Sequence, residues 1–123
     1  MKIYQGSDKG KILFTLRKDS LCEGSGTIAL CNIRDNFIYK GNGTGKTLCN
    51  IRGNFVYEGN GANALCNIRD NFIYKGNGTG KTLCNIRGNF VYEGNGANKP
   101  IFNSDERIGI KELAAVMLVM KII

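Results

Sequence analysis

Arginine and aromatic side chains recur together at a fixed spacing in four segments of the chain. In each segment a phenylalanine and then a tyrosine follow shortly after an arginine. Guanidinium groups beside flat rings can pair with phosphates and stack on bases, as in proteins that hold single-stranded nucleic acid. The same side chains can instead form a cation–π and stacking ladder that stiffens a sheet. The candidate binding face comprises Arg34, Phe37, Tyr39, Arg52, Phe55, Tyr57, Arg69, Phe72, Tyr74, Arg87, Phe90 and Tyr92.

The overall charge allows two interpretations of that face. The 123-residue chain has a formal net charge of +7 at pH 7, which can indicate an acidic partner such as nucleic acid. Lysines solvated on loops explain the same excess without any partner.

The sequence favours a non-enzymatic protein with a structural or protein-interaction role, because it lacks the groups that catalysis most often uses. Histidine, the usual general base, is absent. Carboxylates such as Asp35 and Glu58 are predicted in turns or at strand ends, where no apolar pocket would raise their pKa. We therefore predict no catalytic residue.

Four of the five cysteines recur at regular intervals. Structural zinc sites use more closely spaced cysteines or histidines, so no metal site is predicted. Strands two apart in a sheet would hold these thiols about 9.5 Å apart, too far for a disulfide. Phe14 stands at the same repeat position, which indicates a small core residue in the other copies. The predicted reduced core thiols are Cys31, Cys49, Cys66 and Cys84.

The segment GNGTGKT, at Gly41–Thr47 and again at Gly76–Thr82, is similar to a phosphate-binding P-loop. That motif requires glycine where this chain has Lys40, and a helix must follow so that N–H groups converge on phosphate. A strand is predicted to follow here. The segment is therefore interpreted as a loop between hairpins, and no cofactor is predicted.

Tandem repetition organises the elements that carry these residues. Leu30–Asn63 returns without a substitution as Leu65–Asn98. Repeat units of 17 or 18 residues begin at Leu13, Leu30, Leu48, Leu65, Leu83 and Ile101. Such identity indicates a recent or engineered duplication, and we hypothesise a shorter parent of about 88 residues.

Each unit is predicted to be a β-hairpin. Two short strand-forming runs flank a two-residue turn such as Gly53-Asn54, which suits type II′ and places Arg52 opposite Phe55 and Ile51 opposite Val56. Loops of about four residues in GNGTGK and about three in GNGAN would join successive hairpins and account for the alternating unit length.

Side-chain alternation predicts an apolar face and a mixed face. The cysteines, Ile51 and Val56, with their copies, share the apolar face, whereas the Arg/Phe/Tyr side chains, Asn32 and the leucines that open each unit share the other. Two-residue Asn60-Gly61 turns would exchange the faces after a 17-residue unit, so a three-residue loop or a β-bulge is required there.

The predicted fold is mainly β: an antiparallel meander of about twelve short strands and one C-terminal helix. The repeats extend over 3–103 and the helix over about 106–122, capped by Ser104 or Asp105, within a single domain of residues 1–123. The alternative is a β-solenoid with a capping helix, in which identical positions stack on successive rungs.

One helix cannot cover so large an apolar face, so the sheet must close into a barrel or bury the remainder against another copy. Free strand edges also favour a homo-oligomer. The apolar run Leu113–Met120 is too short to span a membrane. The N-terminal segment has no predicted targeting signal, which favours the cytoplasm.

The unit LCNIRGNFVYEGNG resembles the NIxGNxIYxG-type tandem units of small bacterial proteins that are mostly uncharacterised. The resemblance extends over nearly all of the chain up to Pro100. It implies tandem β-hairpins and carries no activity or site residue with it.

Overall fold

A computed structural model describes residues 1–123, which form twelve strands and one helix. The strands are short, of four to six residues; two occur in each of the first five repeat units, and β1 and β12 come from the two ends of the chain. They are β1 (Lys2–Gln5), β2 (Ile12–Arg17), β3 (Ser20–Glu23), β4 (Ala29–Arg34), β5 (Phe37–Lys40), β6 (Thr47–Arg52), β7 (Phe55–Glu58), β8 (Ala64–Arg69), β9 (Phe72–Lys75), β10 (Thr82–Arg87), β11 (Phe90–Glu93) and β12 (Pro100–Ser104), followed by α1 (Ile110–Val119).

Every strand pairs in antiparallel fashion with its neighbours in the chain, and β1 also pairs with β12, so the sheet closes into a barrel. The predicted mainly β meander with a C-terminal helix is confirmed. The solenoid alternative is wrong, because its rungs would pair in parallel and leave the two ends of the sheet apart.

The hairpin register matches the prediction. Arg52 lies opposite Phe55 and Ile51 opposite Val56. Gly53 has a φ of +60°, whereas Asn54 has no positive φ, as a type II′ turn requires. Asp35 adopts the same left-handed conformation at the first turn position of its unit, with a φ of +54°.

The leucine that opens each unit was predicted on the mixed face, and that placement is wrong. Tyr39 pairs with Thr47 but Ile38 pairs with Cys49, so Leu48 is the extra residue of a β-bulge. A bulge interrupts the alternation of side chains, and Leu48 packs against the core instead. The same irregularity and the same packing recur in all six units.

The connecting loops differ in length as predicted but are longer than expected. Residues 41–46 form a six-residue loop and residues 59–63 a five-residue loop. Ile38 pairs with Cys49 across the six-residue loop and Val56 pairs with Cys66 across the five-residue loop, so the cysteine faces inward after units of either length.

The helix begins later than predicted. Its N-cap is Gly109, whose backbone N–H donates to the carboxylate of Glu112 at 3.1 Å. Ser104 and Asp105 do not cap it. Ser104 belongs to β12, and the backbone N–H of Asp105 donates to the carbonyl of Lys2, because these residues still extend the barrel wall. At ten residues, the helix is not long and apolar enough to cross a membrane.

The helix lies inside the barrel. Its five consecutive residues from Leu113 to Met117 are all buried, which requires contact on every side of the helix. The inward side chains of the strands belong to the same apolar cluster. Twelve strands about 4.8 Å apart enclose a radius of at least about 9 Å, and a helix with its side chains takes up about 5 to 6 Å of that radius. Small inward residues such as cysteine fill the remaining layer.

The two ends of the chain complete the sixth hairpin. Asn103 of β12 lies opposite Tyr4 of β1, as Asn50 lies opposite Tyr57 within one unit. Lys2 donates its backbone N–H to the side chain of Asp105 at 2.9 Å. Closure therefore removes the free strand edges and covers the apolar face, which were the two reasons to expect self-association.

Deletion of residues 64–98, which removes one 35-residue block, should abolish this fold. Eight remaining strands would enclose a radius of only about 6 Å, a space that inward side chains fill without a helix. We expect loss of cooperative urea unfolding and of near-ultraviolet circular dichroism. Deletion of Lys99 alone, which leaves the five-residue loop found at 59–63, should preserve both. A cooperative eight-stranded monomer would contradict this prediction.

Candidate interaction surface

The Arg/Phe/Tyr side chains lie on the outer surface of the barrel, on the face of the sheet opposite the buried cysteines. Arg34 lies across from Phe37 in one hairpin, and the three copies repeat this pairing. The four arginines are exposed and the rings are half-buried or, at Phe37, exposed. The structure therefore brings each predicted triplet together and separates the four triplets around the barrel.

The rings of each triplet contact each other along the strand. The ring centroids of Phe55 and Tyr57 are 5.9 Å apart with an interplanar angle of 20°, and those of Phe37 and Tyr39 are 6.1 Å apart at 27°. The other two pairs are more tilted. These contacts form the stacking part of the ladder that the sequence suggested.

The arginines differ in their hydrogen bonds and ring contacts although their local sequences repeat. The guanidinium of Arg52 lies 5.3 Å from the ring centroid of Tyr57, a cation–π contact, and forms no hydrogen bond. Arg34 instead donates from Nε to Asn32 Oδ1 at 2.9 Å and from its terminal nitrogen to the carbonyl of Asn42 at 3.2 Å. Arg69 repeats the pattern of Arg34, and both precede six-residue loops. Arg87 combines the two arrangements, because it donates to Asn85 Oδ1 at 3.1 Å and lies 5.7 Å from the ring centroid of Tyr92.

A repeated asparagine, which the sequence placed on the mixed face without a role, organises this surface. Asn50 Nδ2 donates to the carbonyls of Gly59 and Gly61 at 2.8 and 3.0 Å, and its side chain is buried. The loop therefore folds back over the outer face of the hairpin. The sequence did contain a sign of this role, because asparagine recurs at this position in five units and the remaining unit has Thr15. The five residues are Asn32, Asn50, Asn67, Asn85 and Asn103.

The loop that resembles a P-loop has the opposite polarity. The carbonyls of Gly41 and Gly43 converge on Asn32 Nδ2 at 2.8 and 2.9 Å. A phosphate site needs convergent N–H donors, whereas this loop directs carbonyl oxygens at an amide donor. The hairpin-loop interpretation accounts for its glycines through the tight turn, where Gly41 has a φ of +66°.

Four of the five free cysteines, Cys31, Cys49, Cys66 and Cys84, lie in the barrel interior and belong to the same apolar cluster as the helix. Burial raises the pKa of Cys31 to about 11 and the pKa values of Cys49, Cys66 and Cys84 to about 12. Cys84 Sγ lies 3.8 Å from Met117 Sδ. These thiols are neutral at physiological pH and act as small core side chains.

The six hairpins closed around one helix can now be compared with known families. A family model described as 6-fold beta flower protein matches residues 23–122. The chain belongs to this family. A beta flower protein is a small repeat protein, and its six-fold description agrees with the six hairpins of this barrel. A search of curated proteins and a search of solved structures give no match.

The beta flower architecture bears on the hypothesis of a shorter parent. An 88-residue form would have four hairpins and no room for the helix, so the repeated block is needed to reach six. The duplication is part of the fold in this chain. Whether it arose by engineering stays a prediction.

Replacement of Asn50 by alanine should destabilise the protein by about 1 to 3 kcal/mol, because two loop carbonyls lose their buried donor. The free energy of unfolding is measured by urea denaturation. Asn60→Ala, in the same loop but with an exposed side chain, should change it by less than about 0.5 kcal/mol. Equal effects of the two substitutions would show that the amide does not hold the loop.

The raised thiol pKa values predict a loss of stability in alkali. The unfolded Cys84 thiol ionises near pH 9 and the folded one near pH 12, so the stabilisation is complete below pH 9 and decreases as pH rises toward 12. Cys84→Ala should flatten the decrease by about 1.4 kcal/mol per pH unit in that range. Urea denaturation at a series of pH values measures this slope, and an unchanged slope would exclude Cys84 as a source.

Proposed function

We propose that this protein is a non-enzymatic interaction module that binds a partner through its Arg/Phe/Tyr surface. The observation that carries this proposal is the outward repetition of one Arg/Phe/Tyr triplet on a closed barrel. Adjacent triplets are two strands apart, about 9.5 Å. Copies at fixed spacing suit a partner that is itself extended or repetitive, since several weak contacts then act together.

The triplets have the composition that protein interfaces favour. Arginine and aromatic residues supply much of the binding energy at interfaces, and here the strands restrict their side chains before binding. Stacking of Phe55 on Tyr57 and the contact of Arg52 with Tyr57 fix three groups in one arrangement. Less side-chain entropy is therefore lost when a partner binds.

Two further observations favour a binding role over catalysis. The helix occupies the barrel interior, which is where a barrel of this size could otherwise hold a substrate. The interior thiols are neutral at physiological pH because burial raises their pKa, so they are poor nucleophiles. Five free thiols suit a reducing compartment, and we propose the cytoplasm as the location.

A second candidate function is binding of single-stranded nucleic acid by the same surface. Arg52 favours it, because this guanidinium is exposed, forms no hydrogen bond and lies beside two rings. Arg34 favours the protein partner over nucleic acid, because its nitrogens already donate to Asn32 and to a loop carbonyl and fewer remain for phosphates. The rings also stack on each other, which leaves less of their faces to bases.

Self-association stays a prediction with reduced support. The two large hydrophobic residues exposed on the barrel are Ile28 and Phe37. Ile28 lies in the loop before β4, and Phe37 is the first residue of β5. Sedimentation at several protein concentrations would measure the oligomeric state.

The paired substitution Arg52→Ala and Arg87→Ala tests both candidates. Lys46→Ala with Lys81→Ala is the matched control, because it removes the same charge from exposed loop positions. In cross-linked lysates, a protein partner should be lost with the arginine variant alone and should survive nuclease.

Fluorescent single-stranded DNA and RNA are titrated with the same variants at low and moderate salt. Salt-sensitive binding lost with the arginines would support the second candidate. Equal losses in both variants, or no binding at all, would contradict a role for this surface.

A further inference from the structure

A six-fold barrel cannot contact a single helix equally on all sides. Of the twelve strands, β4 lies closest to the helix backbone. The strand on the opposite side of the ring is β10. Cys84 of β10 still reaches Met117 deeper in the barrel, so space between the helix and the wall is expected near the end of β10, at Ile86.

Side chains at equivalent positions reveal this asymmetry. Ile33 and Ile51 are 7% and 4% exposed, whereas Ile68 and Ile86 are only half-buried although their units repeat the same sequence. Local sequence cannot cause this difference, because Ile33 and Ile68 have identical neighbours for many residues on either side. The off-centre helix leaves Ile68 and Ile86 partly uncovered.

A cleft occupies this space at the end of the barrel where the helix enters. Its volume is about 560 Å³, within the range of small-molecule sites. Isoleucine and leucine side chains from the wall and the helix form an apolar floor, and turn residues form a polar rim. The floor includes Ile68, Ile86 and Leu113, and the rim includes Asp70 and Arg107.

The rim carries one positive and one negative side chain. Arg107 and Asp70 are both exposed, and neither forms an ion pair or a side-chain hydrogen bond. The formal net charge of +7 adds a long-range attraction for anions and none for cations. Arg107 is therefore the better anchor, since guanidinium groups bind carboxylates and related anions in a bidentate manner.

We propose that this cleft, which we call the entry cleft, binds a small amphiphilic anion. The apolar body of the ligand contacts Ile68, Ile86 and Leu113, and its anionic head pairs with Arg107. This site is separate from the Arg/Phe/Tyr surface, because its floor belongs to the inward face of the barrel. Its failure would leave the proposed interaction surface untouched.

The probe is 8-anilinonaphthalene-1-sulfonate, which combines an apolar aromatic body with a sulfonate. Protein with labelled isoleucine methyl groups is titrated and followed by nuclear magnetic resonance. The methyl signals of Ile68 and Ile86 should shift with saturation, whereas those of Ile33 and Ile51 should not. Absence of saturable binding would overturn the proposal. Shifts centred on Ile122 and Ile123, which follow the C-terminal end of the helix, would also overturn it.

Two substitutions, each with a matched control, test the apolar floor and the cationic anchor of the cleft separately. Ile86→Phe should fill the cleft and weaken probe binding at least tenfold, while Ile51→Phe, the same change at a buried copy, should chiefly destabilise the barrel. Arg107→Ala should weaken binding several-fold, and Asp70→Asn should not weaken it. Arg107 is exposed, so its variant tests the site even if Ile86→Phe does not fold. Unchanged affinity in Arg107→Ala would refute the anionic ligand, and unchanged affinity in a folded Ile86→Phe would refute the cleft.

Discussion

Enclosure of one helix by a closed ring of strands is the constraint on which the structure depends. The ring must be wide enough for a helix and narrow enough for inward side chains to contact it. Twelve strands meet this condition when the inward residues near the helix include cysteines and the helix presents Ala114 and Ala115. Burial of so much apolar surface within one chain stabilises a barrel made of strands too short to be stable alone.

The same asparagine position connects the core to the outer surface. Asn50 and its copies bind the loop carbonyls, so each loop lies over its own hairpin instead of extending into solvent. The copy at Asn32 also accepts a hydrogen bond from Arg34. One buried amide thus organises the loop, the arginine and, through the arginine, the exposed surface. Asn50 Oδ1 lacks such a partner, which is consistent with the position of Arg52 over Tyr57.

Identical repeats do not have identical surroundings in this protein. The single helix breaks the nearly six-fold symmetry of the barrel interior. The isoleucines at one repeat position are therefore buried on one side of the barrel and partly exposed on the other. The sixth hairpin is also distinct, because Asn103 and Tyr4 come from opposite ends of the chain. Both departures arise from chain connectivity and not from local sequence.

The sequence by itself determined the hairpins, their register and the inward cysteines, because these depend on turn chemistry and on alternation between neighbouring residues. It also predicted which arginines and rings share a surface. Only the tertiary structure decided that the ends of the sheet meet, that Leu48 and its copies turn inward at bulges, and that the helix begins after Gly109. These features depend on the circumference of the whole ring and on contacts between Asp105 and Lys2, which no local pattern encodes.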